Sequence, residues 1–194
     1  MSRFAPITAA KHRATYDDVL VAPEHQVAEI LDGELFLSPR PASPQLLATS
    51  ALCARLITAF DREPAGPDHP GGWWILREPE LHFGADVVVP DLVGWQHERL
   101  PRLPDVPWLE LAPDWLCETL SPITACIDRT RKLRIYAREG VRFVWFLDPL
   151  TRTLEVLTLD RDRWIVAENH GGDEVVRAAP FAAIGIDLAR FWID

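Results

Sequence analysis

The pattern of apolar residues predicts an α/β protein: a mixed central sheet flanked by helices, opened by a β-hairpin and closed by a β meander. Three observations carry this reading. Asp32-Gly33 separates two short β-prone runs (Val27 to Ser38), and a type I′ turn needs positive φ at both of its central residues. Leu46, Leu47, Cys53, Leu56, Ile57 and Phe60 recur at helical spacing. Strand, helix and strand follow one another between Asp114 and Leu147, a βαβ unit whose strands are expected to run parallel with a right-handed crossover.

In chain order, Thr15 reads as the N-cap of a short helix. After the hairpin, Ser43-Pro44 reads as N-cap and N1 of an amphipathic helix ending at Phe60. The proline- and glycine-rich stretch 61–72 reads as an exposed loop. Trp73 to Arg77 and Asp86 to Val93 read as strands with a turn near Glu78-Pro79. Trp95 to Pro113, with four prolines, reads as one long loop, and long loops in compact domains often carry function. Asp114 to Leu120 is a third strand. Asp128 to Glu139 is a helix that Gly140 can close in a left-handed C-cap. Val141 to Leu147, apolar on both faces, reads as a central strand. Short β segments at 153–159, 163–168 and 174–178 form the meander, with a last strand or short helix within 182–192.

The length of 194 residues favours one domain, with a core at about 27–150 and a β extension at about 151–194. A hydrophobic share of 48% supports a sizeable core and argues against disorder. The net charge of −9 excludes indiscriminate nucleic-acid binding, so any such contact needs a local basic patch. Cys53, Cys117 and Cys126 lack CxxC spacing and read as buried thiols of a reducing cytoplasm. No apolar run is long enough for a membrane span, and no signal peptide is apparent.

Chemistry concentrates between Asp86 and Lys132. Asp91 ends a β-branched run (Val87, Val88, Val89), and Glu118 lies inside a second apolar run (Trp115, Leu116, Cys117, Leu120). Carboxylates in such runs are costly to bury unless something positive pairs with them. With Lys132 on the following helix, the pattern suggests a hard-metal site beside a charge-stabilising amine. Asp128 and Tyr136 share the helix face of Lys132. Structural ion pairing of Glu118 with Arg129 or Lys132 is the competing reading.

Read together, Asp32-Gly33-Glu34, Pro90-Asp91, Glu118-Thr119-Leu120-Ser121-Pro122, Asp128 with Lys132, Tyr136 to Val141 and Trp145 to Pro149 resemble the Uma2 family within the PD-(D/E)xK nuclease superfamily. The resemblance covers roughly residues 15 to 160 and implies a restriction-endonuclease-like sheet. It also implies Mg²⁺- or Mn²⁺-dependent hydrolysis of nucleic-acid phosphodiesters, with DNA the expected substrate and a homodimer the expected assembly. The implied catalytic set is Asp91, Glu118 and Lys132. The implied metal ligands are Asp91, Glu118 and the Thr119 backbone carbonyl, with Glu34 as an additional acid. Two departures stand out. Leu120 occupies the superfamily's usual lysine position, and Gln45 stands where the family often has a histidine.

Arg131, Arg134 and Arg138 form a ridge that either contacts phosphates or coats a solvated face. Trp95 and Trp108, flanking the long loop, either stack on a base, or pack beneath the loop or line a dimer interface. A binding module that kept the fold without activity, and a metal-dependent phosphoesterase acting on a small molecule, are the alternative functions.

Overall fold

The computed structural model describes residues 13–61 and 66–193, so residues 62–65 of the first predicted loop lie outside it. In chain order the elements are α1 (Tyr16–Leu20), β1 (Gln26–Leu31), β2 (Glu34–Pro39), α2 (Ser43–Phe60), β3 (Trp73–Arg77), β4 (Glu80–Phe83), β5 (Asp86–Val88) and β6 (Leu92–Gln96). There follow β7 (Trp108–Leu109), β8 (Trp115–Thr119), α3 (Ala125–Ile127), a π-helical turn (Asp128–Lys132), α4 (Leu133–Arg138) and β9 (Phe143–Asp148). The chain closes with β10 (Thr153–Asp160), β11 (Arg163–Gly171), β12 (Val175–Val176), β13 (Ile186–Asp187) and a 3₁₀ turn (Leu188–Phe191).

A six-stranded sheet in the order β11-β10-β9-β8-β6-β3 forms the centre. Only β8 and β9 within it run parallel, as the βαβ reading requires; the other pairs are antiparallel. A five-stranded sheet, β2-β1-β5-β4-β7, carries the N-terminal hairpin. The hairpin turn is of the expected kind, with φ of 55° at Asp32 and 79° at Gly33.

Alternation along the strands splits the core in two. Trp115, Cys117, Trp145 and Leu147 face α2 and the C-terminal segment, packing with Leu52, Leu56 and Phe181. Leu116, Val144 and Phe146 face the opposite side, packing with Leu133, Ile135 and Tyr136. Gly94 sits on the first face, where a Cβ would come within 3.2 Å of Trp73, Ile75 and Trp115. Five of the eight tryptophans are buried, so they are explained as core rather than as an interface.

The structure corrects several boundaries. The strand expected over 86–93 is two strands in different sheets, with Pro90-Asp91 between them. Pro90 has no N–H for a ladder, and the Val89 N–H goes to the Glu29 carboxylate instead. β4 was not expected; it pairs with β5 around Gly84, whose φ is 66°. The loop expected over 95–113 contains β7, which pairs in parallel with β4. Ala42, not Ser43, caps α2. The helix after β8 starts at Ala125 and widens into a π turn. Cys126 is exposed, unlike Cys53 and Cys117. Among the described residues no helix is long and apolar enough to cross a membrane.

Gly140 has a φ of 75° and ends α4 as expected, and Val141 N–H reaches the Tyr136 carbonyl at 3.0 Å. Gly140→Ala should cost about 1 kcal/mol of unfolding free energy in urea with an unchanged m value, because the added Cβ meets strain without a clash. An unchanged midpoint would contradict the left-handed cap.

Candidate active site

Sheet pairing assembles the site. Leu92 opposes Cys117, which sets Asp91 beside the end of β8, and the Thr119 N–H donates to Asp91 Oδ2 at 2.6 Å. Along β8, Glu118 falls on the face of Leu116, under the α3–α4 helical segment. The π turn includes both Asp128 and Lys132, and turns of this kind often mark functional positions. Lys132 is 3% exposed, and its Nζ lies 2.9 Å from Glu118 Oε1, 3.0 Å from Glu29 Oε1 and 3.6 Å from Asp128 Oδ1. The buried Tyr136 hydroxyl donates to the same Glu118 Oε1.

Glu29, Glu78, Asp91, Glu118, Thr119, Asp128 and Lys132 line one cleft of about 70 Å³, enough for several waters. Three of its carboxylates, those of Glu29, Glu118 and Asp128, lie within ion-pair distance of a single ammonium, whose charge also acts on Asp91. Burial pushes Asp91 up to about 6; the Thr119 N–H and Lys132 oppose that shift, while Asp128 and Glu78 add to it. Burial likewise raises Glu118 well above the carboxylate range; Lys132 opposes it, and the neighbouring acids reinforce it. Burial alone would lower Lys132, but Glu118, Glu29 and Asp128 hold it well above the usual lysine range, so it stays protonated. Burial, then the Glu118 charge, keeps the Tyr136 hydroxyl protonated. The cluster thus holds more acid than its ammonium can neutralise, so protons or a further cation must make up the difference.

Asp91, Glu118, Thr119 and Lys132 all line the cleft, but Glu34 does not. Glu34 pairs with Arg131 at 3.0 Å, and the hairpin acid that lines the cleft is Glu29. Glu29 sits inside the apolar run Val27 to Leu31, the same signal that singles out Glu118, and the sequence reading passed over it. Glu78 could not be found that way, since it reaches the cleft from a turn with φ of 46°. The arginine ridge is tied to acids: Arg131 to Glu34, Arg134 to Asp32 at 3.5 Å, and Arg138 to Asp86 at 2.9 Å. Leu120 is buried, and its carbonyl accepts from Gln45 Nε2 at 3.3 Å, so both positions that depart from the family pattern pack together. Trp95 packs beneath the loop and donates to the Leu111 carbonyl, while Trp108 stacks on His82.

Among the described residues no three His, Cys, Asp or Glu side chains form a ready metal cage. The donor set nevertheless fits a hard dication completed by waters: Asp91 and Glu118 both line the cleft, and each has one oxygen already hydrogen-bonded.

Asp91 has a folded-state pKa above its unfolded value, so its contribution to stability is full below about pH 4 and is lost as pH rises through about 6. Asp91→Asn should therefore gain stability relative to the wild type between pH 4 and 7, on the order of 1 kcal/mol after solvent screening. A pH-independent difference in urea unfolding would contradict this. Lys132→Met leaves Glu118 and Glu29 without their ammonium and should cost roughly 3–5 kcal/mol. The loss should be larger at pH 8 than at pH 5, and calorimetry at the two pH values checks this.

The sequence model of the Uma2 family, described as "Putative restriction endonuclease", matches residues 14–190. No curated protein matches the chain. Among solved structures, the fold is similar to that of a protein from Anabaena variabilis ATCC 29413 titled "a putative nuclease belonging to DUF820". The TM-score is 0.72 at 21% identity, over 92% of this chain and 97% of the other.

Proposed function

The chain belongs to the Uma2 family, and from that premise we propose that it is a divalent-metal-dependent endonuclease hydrolysing nucleic-acid phosphodiesters, with DNA as substrate and Mg²⁺ or Mn²⁺ as the ion. The observation that carries the reading is the excess of buried carboxylate over ammonium in one cleft. Asp91, raised only to about 6, is still largely ionised at neutral pH, so a dication is needed to answer its charge.

In this reading Asp91, Glu118 and the Thr119 carbonyl hold the ion. The ion supplies charge neutralisation at the phosphate and a bound water of lowered pKa. Lys132 is kept positive by Glu118 and Glu29, so it can orient a water or offset negative charge developing on the phosphate without first having to capture a proton. Glu29 keeps the amine in position, since its carboxylate is itself anchored by the Val89 N–H at 2.8 Å. Each role depends on groups fixed before substrate arrives, as electrostatic catalysis requires.

Mg²⁺ should raise the melting temperature, with about 2.7 kcal/mol of added stability at a hundredfold excess over its dissociation constant. Asp91→Ala and Glu118→Ala should each abolish that rise, together with Mg²⁺-dependent cleavage of labelled DNA. A melting temperature indifferent to Mg²⁺ and Mn²⁺ would overturn the reading in favour of a binding module. Cleavage of a nucleotide-sized ester but not of a polynucleotide would favour a small-molecule phosphoesterase.

A further inference from the structure

Tyr136 is one of only two tyrosines in the chain and lies wholly within the core of the α4 side. Packing alone would be served by phenylalanine; a buried hydroxyl is retained at a cost unless it is hydrogen-bonded. Its hydroxyl donates to Glu118 Oε1, the same oxygen that Lys132 Nζ contacts at 2.9 Å. Lys132 and Tyr136 are four residues apart, so one helix face delivers both donors to one carboxylate oxygen. Asp91 repeats the arrangement by other means, with Oδ2 held by the Thr119 N–H at 2.6 Å. In both carboxylates a fixed donor occupies one oxygen, and both residues line the cleft.

We propose that Tyr136 is a positioning residue for Glu118: its hydroxyl, with Lys132, pins Oε1 and so fixes the orientation in which the second oxygen is offered to the ion. The inference rests on the metal-dependent reading above. Hydrogen-bonded partners of metal ligands typically govern ligand orientation and are worth about 10–100-fold in metal affinity or activity. Tyr136 touches neither substrate nor ion and acts only through Glu118.

The test uses the full chain and Mn²⁺ or Mg²⁺ as the probe, with the half-saturation of metal-induced thermal stabilisation as the readout. Tyr136→Phe should raise that half-saturation about tenfold. It should also lower kcat for DNA cleavage and leave KM for DNA unchanged. A merely structural tyrosine would lower the melting temperature of the metal-free protein and leave the half-saturation within twofold of wild type, which would overturn the inference. If the wild type itself shows no metal response, the metal-dependent reading fails and this inference falls with it. A response in the wild type that is equal in Tyr136→Phe sinks this inference alone. Should Tyr136→Phe not fold, fluorotyrosine labelling keeps the question open to measurement. The ¹⁹F resonance of Tyr136 should move on metal addition while that of Tyr16 stays, and an unmoved Tyr136 signal would overturn the proposal.

Discussion

The constraint that organises this protein is a buried ammonium outnumbered by carboxylates. Lys132 draws together elements that have little else in common: Glu29 from the hairpin sheet, Glu118 from the central sheet and Asp128 from its own helix. Each partner would be expensive to bury alone, and together they require an interior that is polar, rigid and fully hydrogen-bonded. The two sheets are thus joined at a charged node as well as by apolar packing. Breaking such a node leaves stranded charge on both sides, so the fold and the site share one dependence.

The elements that bring charge to the node follow from ordinary local rules. A type I′ turn sets the register of β1 and β2, and that register turns Glu29 inward. Strand alternation gives β8 two unlike faces, with Thr119 meeting the Thr49 hydroxyl at 2.7 Å on one and Glu118 meeting Lys132 on the other. The π turn gives Asp128 and Lys132 their common approach to Glu118.

Much of this was legible beforehand, for reasons that differ between residues. The hairpin, α2, β8 and β9 announce themselves through turn chemistry and periodicity, both local properties. Asp91 and Glu118 stand out because charge inside an apolar run demands an explanation. Glu29 carries the same signal, but attention to Glu34 in the resembling motif drew the reading five residues too far. The split at Pro90 and the pairing of β4 with β7 depend on which sheet each strand joins, a long-range choice that no local pattern encodes. The arginine ridge illustrates the same limit, for its helical spacing is plain while its partners Asp32, Glu34 and Asp86 are brought up only by tertiary folding.

Pro90-Asp91 is the joint at which the chain leaves the hairpin sheet and enters the central one. A carboxylate at such a crossing takes its position from both layers at once. The Thr119 N–H ties the Asp91 carboxylate to the central sheet, whereas Glu29 comes from the hairpin sheet, so a sliding of one layer over the other would be felt at the 3.0 Å contact of Glu29 with Lys132. The seam between the sheets works as a gauge of the molecule's integrity, and the ion pair of Glu29 with Lys132 is what that gauge reads.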